Sequence, residues 1–146
     1  MKQATAYDVA NVFLKLGDTD SGDVLTNLKV QKLLYYAQGF SLALFDEPLF
    51  SEEISAWEHG PVVVDLYHKF KKFGYKQIAI VEDIKDGLFT KEQLDLIGEV
   101  NKVYGQFSAW KLRDMTHNET PWTTTQRGEV ISNDKIKSYF KTQLQV

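Results

Sequence analysis

The longest helical pattern of the chain covers residues 25–39, which read LTNLKVQKLLYYAQG. Thr26 suits the N-cap position, because its hydroxyl can accept a hydrogen bond from a free amide of the first turn. Helical spacing predicts a helix from Thr26 to about Phe45. Its main stripe consists of Val30, Leu33, Leu34, Ala37 and Leu44, with Phe40 alongside, and Leu28, Tyr35, Leu42 and Ala43 cover much of the opposite side. A helix that is apolar on both sides is usually buried between others, so this pattern predicts the central helix of the fold.

The segments on either side of this helix predict further, shorter elements. The first half of the chain predicts a helix from Thr5 to Gly17, a strand over 53–59, and a helix opened by Gly60 and Pro61 and ended by Gly74. A β-rich run over 77–81 could pair with the strand. The second half predicts three helices, capped by Thr90, Ser108 and Ser132, and a short helical segment at Thr120-Pro121-Trp122. Together they predict a mainly α fold. We expect a single compact helical domain over residues 1–146, with about six helices around the central buried helix and a small two-stranded β element.

Composition narrows the class of protein. The 146 residues are 43% hydrophobic and 25% charged, which is typical of a globular domain and not of a disordered chain. The net charge of −3 argues against a bulk polyanion as the partner. The sequence contains no cysteine, which excludes disulfides and thiolate metal sites. Asn11 and Lys15 interrupt any signal-peptide core, and no apolar run is long enough to span a bilayer, so we expect a cytoplasmic protein without a membrane partner.

Metal binding is not expected from the pattern of potential ligands. The acidic loop that starts at Asp18 resembles a calcium loop in its first positions, but Lys29 stands where a bidentate glutamate is required. The three histidines, His59, His68 and His117, show no ligand spacing. We therefore predict no metal site and no cofactor.

Two alternative functions rest on local patterns. Asp114 and His117, three residues apart, could form an acid–base pair of a hydrolase, but no nucleophile motif accompanies them. The run Lys69–Lys76 interleaves lysines with aromatic residues, which is one pattern of nucleic-acid binding. Because Phe70 and Phe73 also fit the apolar stripe of a helix, the lysines are better read as its solvated face. The sequence thus predicts a binding protein with no catalytic residue, and nucleic acid is not the expected partner.

Three separated motifs resemble one known family. They are residues 25–39, already quoted, residues 54–63, ISAWEHGPVV, and residues 116–122, THNETPW, with Pro48-Leu49-Phe50 shortly before the second. Together they resemble the Panacea domain of SocA-like antitoxins, which is also met in phage-associated proteins of the GepA type. Val30 departs from the leucine that the family often has. Glu58 and His59 stand where a basic residue and an aromatic are common.

The resemblance implies an antitoxin and not an enzyme. Such a protein neutralises a cognate toxin by direct protein–protein binding, either by masking it or as an adaptor that delivers it to a ClpXP-type protease. The residues that we predict at the partner-binding surface are Trp57, Glu58, His59, His117 and Trp122. For the two tryptophans the alternative is a packing role, because tryptophan is usually well buried.

Overall fold

The computed structural model describes residues 3–16, 25–79 and 82–144. Within them the helices are α1 (Ala6–Leu16), α2 (Asn27–Phe45), α3 (Val64–Phe70), α4 (Lys91–Tyr104), α5 (Ala109–Thr116), α6 (Thr120–Thr123) and α7 (Asn133–Lys141), and the strands are β1 (Ile54–Trp57), β2 (Gly60–Val62) and β3 (Val130–Ile131). A 3-10 turn, Lys71–Phe73, follows α3. The predicted mainly α fold is therefore confirmed. None of the described helices is both long and apolar enough to cross a membrane.

Helix starts follow the predicted capping residues. The hydroxyls of Thr26, Ser108 and Ser132 each accept a hydrogen bond from an amide three residues later. Thr90 and Gln93 form a reciprocal capping box at the start of α4. These bonds satisfy amides that have no partner inside the helix, which is why such residues mark helix starts. The predicted stop at Gly17 and the Asp18 loop lie outside the described residues.

Helix α2 is the centre of the fold and packs against α1, α4, α5 and α7. Its closest approach is to α7, where Phe140 lies on Gly39. A Cβ atom at Gly39 would be 2.2 Å from the Phe140 ring. The prediction was wrong for Leu44, which is 52% exposed. Leu44 shares a helical face with Ala37 two turns earlier, but no described element covers that face at the last turn of α2.

The sheet differs from the predicted two-stranded element. It is antiparallel with three strands in the order β2-β1-β3. Gly60 and Pro61 do not open a helix, because they form the second strand of a hairpin in which Gly60 pairs with Trp57. Proline is tolerated there, since β2 is an edge strand. Helix α3 begins only at Val64.

The β-rich run over 77–81 was wrongly predicted to pair with β1. Residues 77–79 form no strand, and residues 80 and 81 lie outside the described part of the chain. The amide of Ile78 instead donates to the carbonyl of Leu25 at 3.0 Å, so this run closes over the start of α2. The second neighbour of β1 is β3, where Ile54 pairs with Ile131.

Candidate partner-binding site

The turn of the β1–β2 hairpin presents two predicted partner-binding residues at the surface. Trp57 pairs with Gly60, so Glu58 and His59 form the two-residue turn, and both are exposed. Gly60 has a φ of +109°, which glycine adopts without steric cost. A Cβ atom at Gly60 would also lie 2.7 Å from Cε of Lys32. The hairpin can therefore approach α2 this closely only with glycine at position 60.

Two cavities flank the hairpin turn, and both have Trp57 and Glu58 in their walls. The first, which we call the arginine cleft, has a volume of about 660 Å³. It is lined by Trp57, Glu58, Arg113, His117, Trp122, Arg127 and Gly128. Four of the five predicted residues thus line one cavity, although they come from distant parts of the sequence. The fifth, His59, lines the second cavity.

Trp122 is held in place by its neighbours in the arginine cleft. Its ring stacks on His117, with the ring centroids 3.9 Å apart and an interplanar angle of 11°. The Arg127 guanidinium lies 3.6 Å from the Trp122 ring centroid. The indole Nε1 donates a hydrogen bond of 2.7 Å to the carbonyl oxygen of Trp57. These contacts connect α6 with β1. Trp122, which is half-buried, therefore has a packing role in addition to any contact that its exposed part makes with a partner.

His117 lines the arginine cleft beneath the Trp122 ring on which it stacks. Burial and the nearby Arg113 charge lower the pKa of His117 below its ordinary value. Its Nε2 atom is buried and has no hydrogen-bond partner among the described residues. The Asp114 carboxylate accepts from Arg113 at 3.1 Å, and no hydrogen bond joins it to His117 in the described structure. The contacts therefore lend no support to a hydrolase built on Asp114 and His117.

The second cavity, which we call the aromatic cleft, has a volume of about 570 Å³. Its wall includes His59 of the hairpin turn, Tyr67 and Lys71 from the α3 region, and Lys32 of α2. Two large aromatic side chains at its edge are open to solvent, Tyr75 at 94% and Trp110 at 56% exposure. An exposed aromatic pair of this kind is typical of a protein-binding surface.

Trp110 is exposed but fixed in position. The Arg113 guanidinium lies 4.7 Å from its ring centroid, and the His59 ring lies 5.5 Å from it. Arg113 Nε also donates to His59 Nδ1 at 2.9 Å, which joins α5 to the hairpin turn. Trp110 was not predicted as a site residue, although the sequence carries a signal for its exposure. The buried residues of α5 are Leu112 and Thr116, so a tryptophan two positions before Leu112 falls on the opposite, outward face.

The Lys69–Lys76 run does not form a stacking platform for bases. Phe70 is fully buried, and the amino groups of Lys69 and Lys72 lie over the protein's own rings, Tyr7 at 3.8 Å and Phe73 at 5.5 Å. Tyr75 is the aromatic residue of the run that is strongly exposed. What this run contributes to the site is one wall of the aromatic cleft.

Glu119 is a buried carboxyl group that joins α6 to α2. It is 8% exposed, and its two oxygens accept hydrogen bonds from the hydroxyls of Tyr35 at 2.9 Å and Tyr36 at 2.8 Å. Burial raises the pKa of Glu119 to about 7, although the two hydrogen bonds act in the opposite direction. The Tyr36 ring in turn stacks on Tyr104 of α4, with centroids 4.0 Å apart. Glu119 therefore has a structural role in placing the THNETPW motif.

Lys32 is a buried amino group between α2 and the hairpin. It is 1% exposed and donates a hydrogen bond of 3.0 Å to the carbonyl oxygen of Pro61. Burial, and secondarily the charge of Arg113, lower the pKa of Lys32 to about 7. The group thus titrates near neutral pH instead of carrying a permanent charge.

Comparison with known proteins identifies the family to which this sequence is similar. The family described as "Antitoxin SocA-like, Panacea domain" matches residues 30–123, which contain the hairpin, α5 and α6. "Antitoxin SocA" of Caulobacter vibrioides (strain NA1000 / CB15N) is 33% identical in an alignment of 115 residues that covers 71% of this chain and 61% of that protein. The chain thus aligns with about three-fifths of the length of this relative. No solved structure gives a significant match. Because the family match covers more than half of the sequence, the chain belongs to the SocA-like antitoxin family with a Panacea domain.

Proposed function

We propose that this chain is a cytoplasmic antitoxin that neutralises a cognate toxin by binding it directly, at the surface formed by the two clefts. The observation that carries the proposal is the exposed, fixed Trp110 beside the hairpin turn. Membership of the SocA-like family and the name of the relative, an antitoxin, support the same function.

The residue types around the clefts suit protein recognition. Tryptophan, tyrosine and arginine are the residues most enriched among binding hot spots, and the two clefts combine Trp110, Tyr75, Arg113 and Arg127. Trp110 keeps its conformation through contacts with Arg113 and His59. A side chain that is already ordered loses less conformational entropy on binding. The surface is therefore prepared for a protein partner before the partner arrives.

Within this surface the five predicted residues take different roles. Glu58 and His59 stand at the exposed turn and would contact the toxin directly. Trp57 and Trp122 hold the hairpin against α6 through their hydrogen bond and so shape the arginine cleft. His117 would support Trp122 from behind through the stack of the two rings.

Trp110→Ala is expected to abolish growth rescue while leaving the fold intact. Cells would express the product of the gene adjacent to the one that encodes this chain, with or without this protein, and growth would be followed. Truncation of a hot-spot aromatic costs about 2 kcal/mol or more of binding free energy, a loss of roughly thirtyfold in affinity. The stability cost is small, because an exposed cation–π contact is worth only about 0.5–1 kcal/mol.

The matched control is Leu44→Ala. Leu44 has a similar exposure, 52%, but lies twelve residues after Lys32 on α2, about 18 Å further along the helix axis. This variant should rescue like the wild type. Rescue by a folded Trp110→Ala protein would contradict the proposed surface, and growth arrest despite the wild-type protein would contradict the proposed function. Toxin abundance separates the two modes of action: masking leaves the toxin present as a complex, whereas delivery to a ClpXP-type protease lowers its level.

A further inference from the structure

Lys32 is a buried amino group without a carboxylate partner inside the described structure. The acceptor of its amino group is the carbonyl oxygen of Pro61, at 3.0 Å. An ammonium group has three N–H donors, so two remain for other acceptors. The strongest described electrostatic influence on Lys32 from another side chain is repulsive and comes from Arg113. By contrast, Glu119 has both of its oxygens satisfied by tyrosine hydroxyls.

Burial of the Lys32 amino group without a carboxylate partner costs folding free energy, which is unfavourable for a residue whose role is only structural. A buried charge is normally paired, because desolvation of an unpaired ammonium is strongly unfavourable. In Lys32 the cost shows as a pKa lowered to about 7. A buried, perturbed group in the wall of a cleft is a candidate for a functional site.

The aromatic cleft connects Lys32 with the exposed surface. Lys32 is in its wall, together with Gly60, whose lack of a side chain leaves room for the end of the lysine. Tyr75 and Trp110 stand at the edge of the same cleft and are open to solvent. A volume of about 570 Å³ is ample for one or two side chains of a partner.

We propose that Lys32 is one half of an intermolecular ion pair, and that the partner protein supplies the other half as an aspartate or glutamate side chain inserted into the aromatic cleft. This inference rests on the proposed function, because it concerns how the same surface holds its partner. The carboxylate accepts from the free N–H groups of Lys32, and apolar residues beside it pack on Trp110 and Tyr75.

Charge and surroundings favour a protein carboxylate over a phosphate of nucleic acid. Glu58 lies in the wall of the cleft, and it would repel the run of neighbouring phosphates in a nucleic acid more than one protein carboxylate. Lys69 and Lys72 lie over the protein's own rings, so Lys71 is the one lysine of this run in the wall of the cleft among the described residues. A nucleic acid gains most of its affinity from contacts between its phosphates and many lysine or arginine side chains. A single protein carboxylate needs only one cation as its partner.

The ion pair makes binding dependent on pH. A carboxylate binds the ammonium form of Lys32, which is depleted as the pH rises through about 7. Above this pH the complex must take up a proton to form, so affinity falls as pH increases. The other titratable or charged groups of the described residues that face Lys32 or share its cleft are Glu58, His59, Tyr67, Lys71, Tyr75, Arg113 and His117. The comparison between wild type and a Lys32 variant isolates the contribution of Lys32 from theirs.

The experiment combines a titration of Lys32 with an affinity measurement. In the full chain labelled with ¹³C at lysine Cε, the pKa of Lys32 is measured alone, with N-acetylaspartate as a carboxylate probe, and with the product of the adjacent gene. The pKa of Lys32 should rise with both. In parallel, Lys32→Met, which keeps an unbranched apolar stem but removes the amino group, should bind the gene product at least about tenfold more weakly than wild type at pH 6. It should also lose the part of the pH dependence that Lys32 contributes.

Lys29→Met is the matched control, because Lys29 is equally buried on the same helix but is not in the wall of the aromatic cleft. It should keep wild-type affinity and pH dependence. An unchanged pKa of Lys32 in the complex, or a Lys32→Met variant that binds like wild type, overturns the inference while the proposed function stands. If wild type does not bind the gene product, the proposed function fails and the N-acetylaspartate titration alone decides on Lys32. A rise in the pKa with a single-stranded oligonucleotide but not with N-acetylaspartate would assign the cleft to phosphate and overturn the carboxylate proposal.

Discussion

Phe140→Ala is expected to lower the free energy of unfolding by about 3–5 kcal/mol, the range for deletion of a buried phenylalanine ring. Phe140 is fully buried and makes edge-to-face contacts with Tyr35 and Phe40, at centroid distances of 5.3 and 4.9 Å. Its ring also rests on the backbone of Gly39. Because backbone bounds the space on that side, the site cannot collapse to fill the gap, and a cavity remains.

Urea denaturation measures this loss, with Tyr75→Ala as the control. Tyr75 is also a large aromatic but is 94% exposed, so its truncation should change the free energy of unfolding by less than about 0.5 kcal/mol. A loss below about 1 kcal/mol for Phe140→Ala would show that the α2–α7 contact is not the centre of the core.

Glu119→Ala is expected to cost about 2–6 kcal/mol of stability. The substitution leaves the hydroxyls of Tyr35 and Tyr36 buried without their acceptor, and each such group costs about 1–3 kcal/mol. Both tyrosines are nearly inaccessible to solvent, so water cannot easily replace the carboxylate. Glu119→Gln, which keeps one acceptor oxygen and the side-chain volume, should lose much less. An equal loss in the two variants would contradict this account of the cluster.

The raised pKa of Glu119 predicts how the free energy of unfolding depends on pH. The pKa of Glu119 is raised from 4.5 to about 7 on folding, so the folded state holds this proton more tightly than the unfolded state. Its contribution is therefore fully present below pH 4.5 and is lost as pH rises through about 7. Chemical denaturation across this window should show the decline in wild type and a flatter profile in Glu119→Gln. Identical profiles would contradict the raised pKa.

The helices could be predicted from sequence because their signals are local. Thr90 with Gln93 and Ser132 with the amide of Lys135 lie within one helical turn, and each pair behaves as the sequence indicates. The burial of α2 also follows from its composition, since apolar residues on both sides leave no face for water. The prediction that Leu44 is buried was wrong, because burial at the end of a helix depends on where the neighbouring helices end.

The sheet could not be predicted because its contacts are distant in sequence. Strand β3 has only two residues, Val130 and Ile131, and pairs with β1 more than seventy positions earlier. The Gly60-Pro61 pair suits a helix start as well as a turn, and only the positive φ of Gly60 distinguishes the two. The β-rich run over 77–81 has the right residues for a strand, but it is held at the start of α2 instead.

The sequence motifs predicted where the candidate site lies better than they predicted the role of each residue in it. The two motifs that contain Trp57 and Trp122 do meet in space, joined by the hydrogen bond between these residues. The motifs did not reveal Trp110, whose importance comes from its exposure beside Arg113. Nor did they reveal Lys32, because a lysine in a helix is normally solvated and its burial is a property of the assembled fold.

The central claim is that a protein partner binds this chain at the surface of the two clefts, and hydrogen–deuterium exchange tests it most directly. Exchange of the wild-type chain would be compared with and without the product of the adjacent gene. We predict slower exchange in peptides that cover 57–60, 71–76 and 108–114, with no change in those that cover the exposed end of α2 at Leu44. Unchanged exchange throughout the chain, or protection confined to other segments, would contradict the claim.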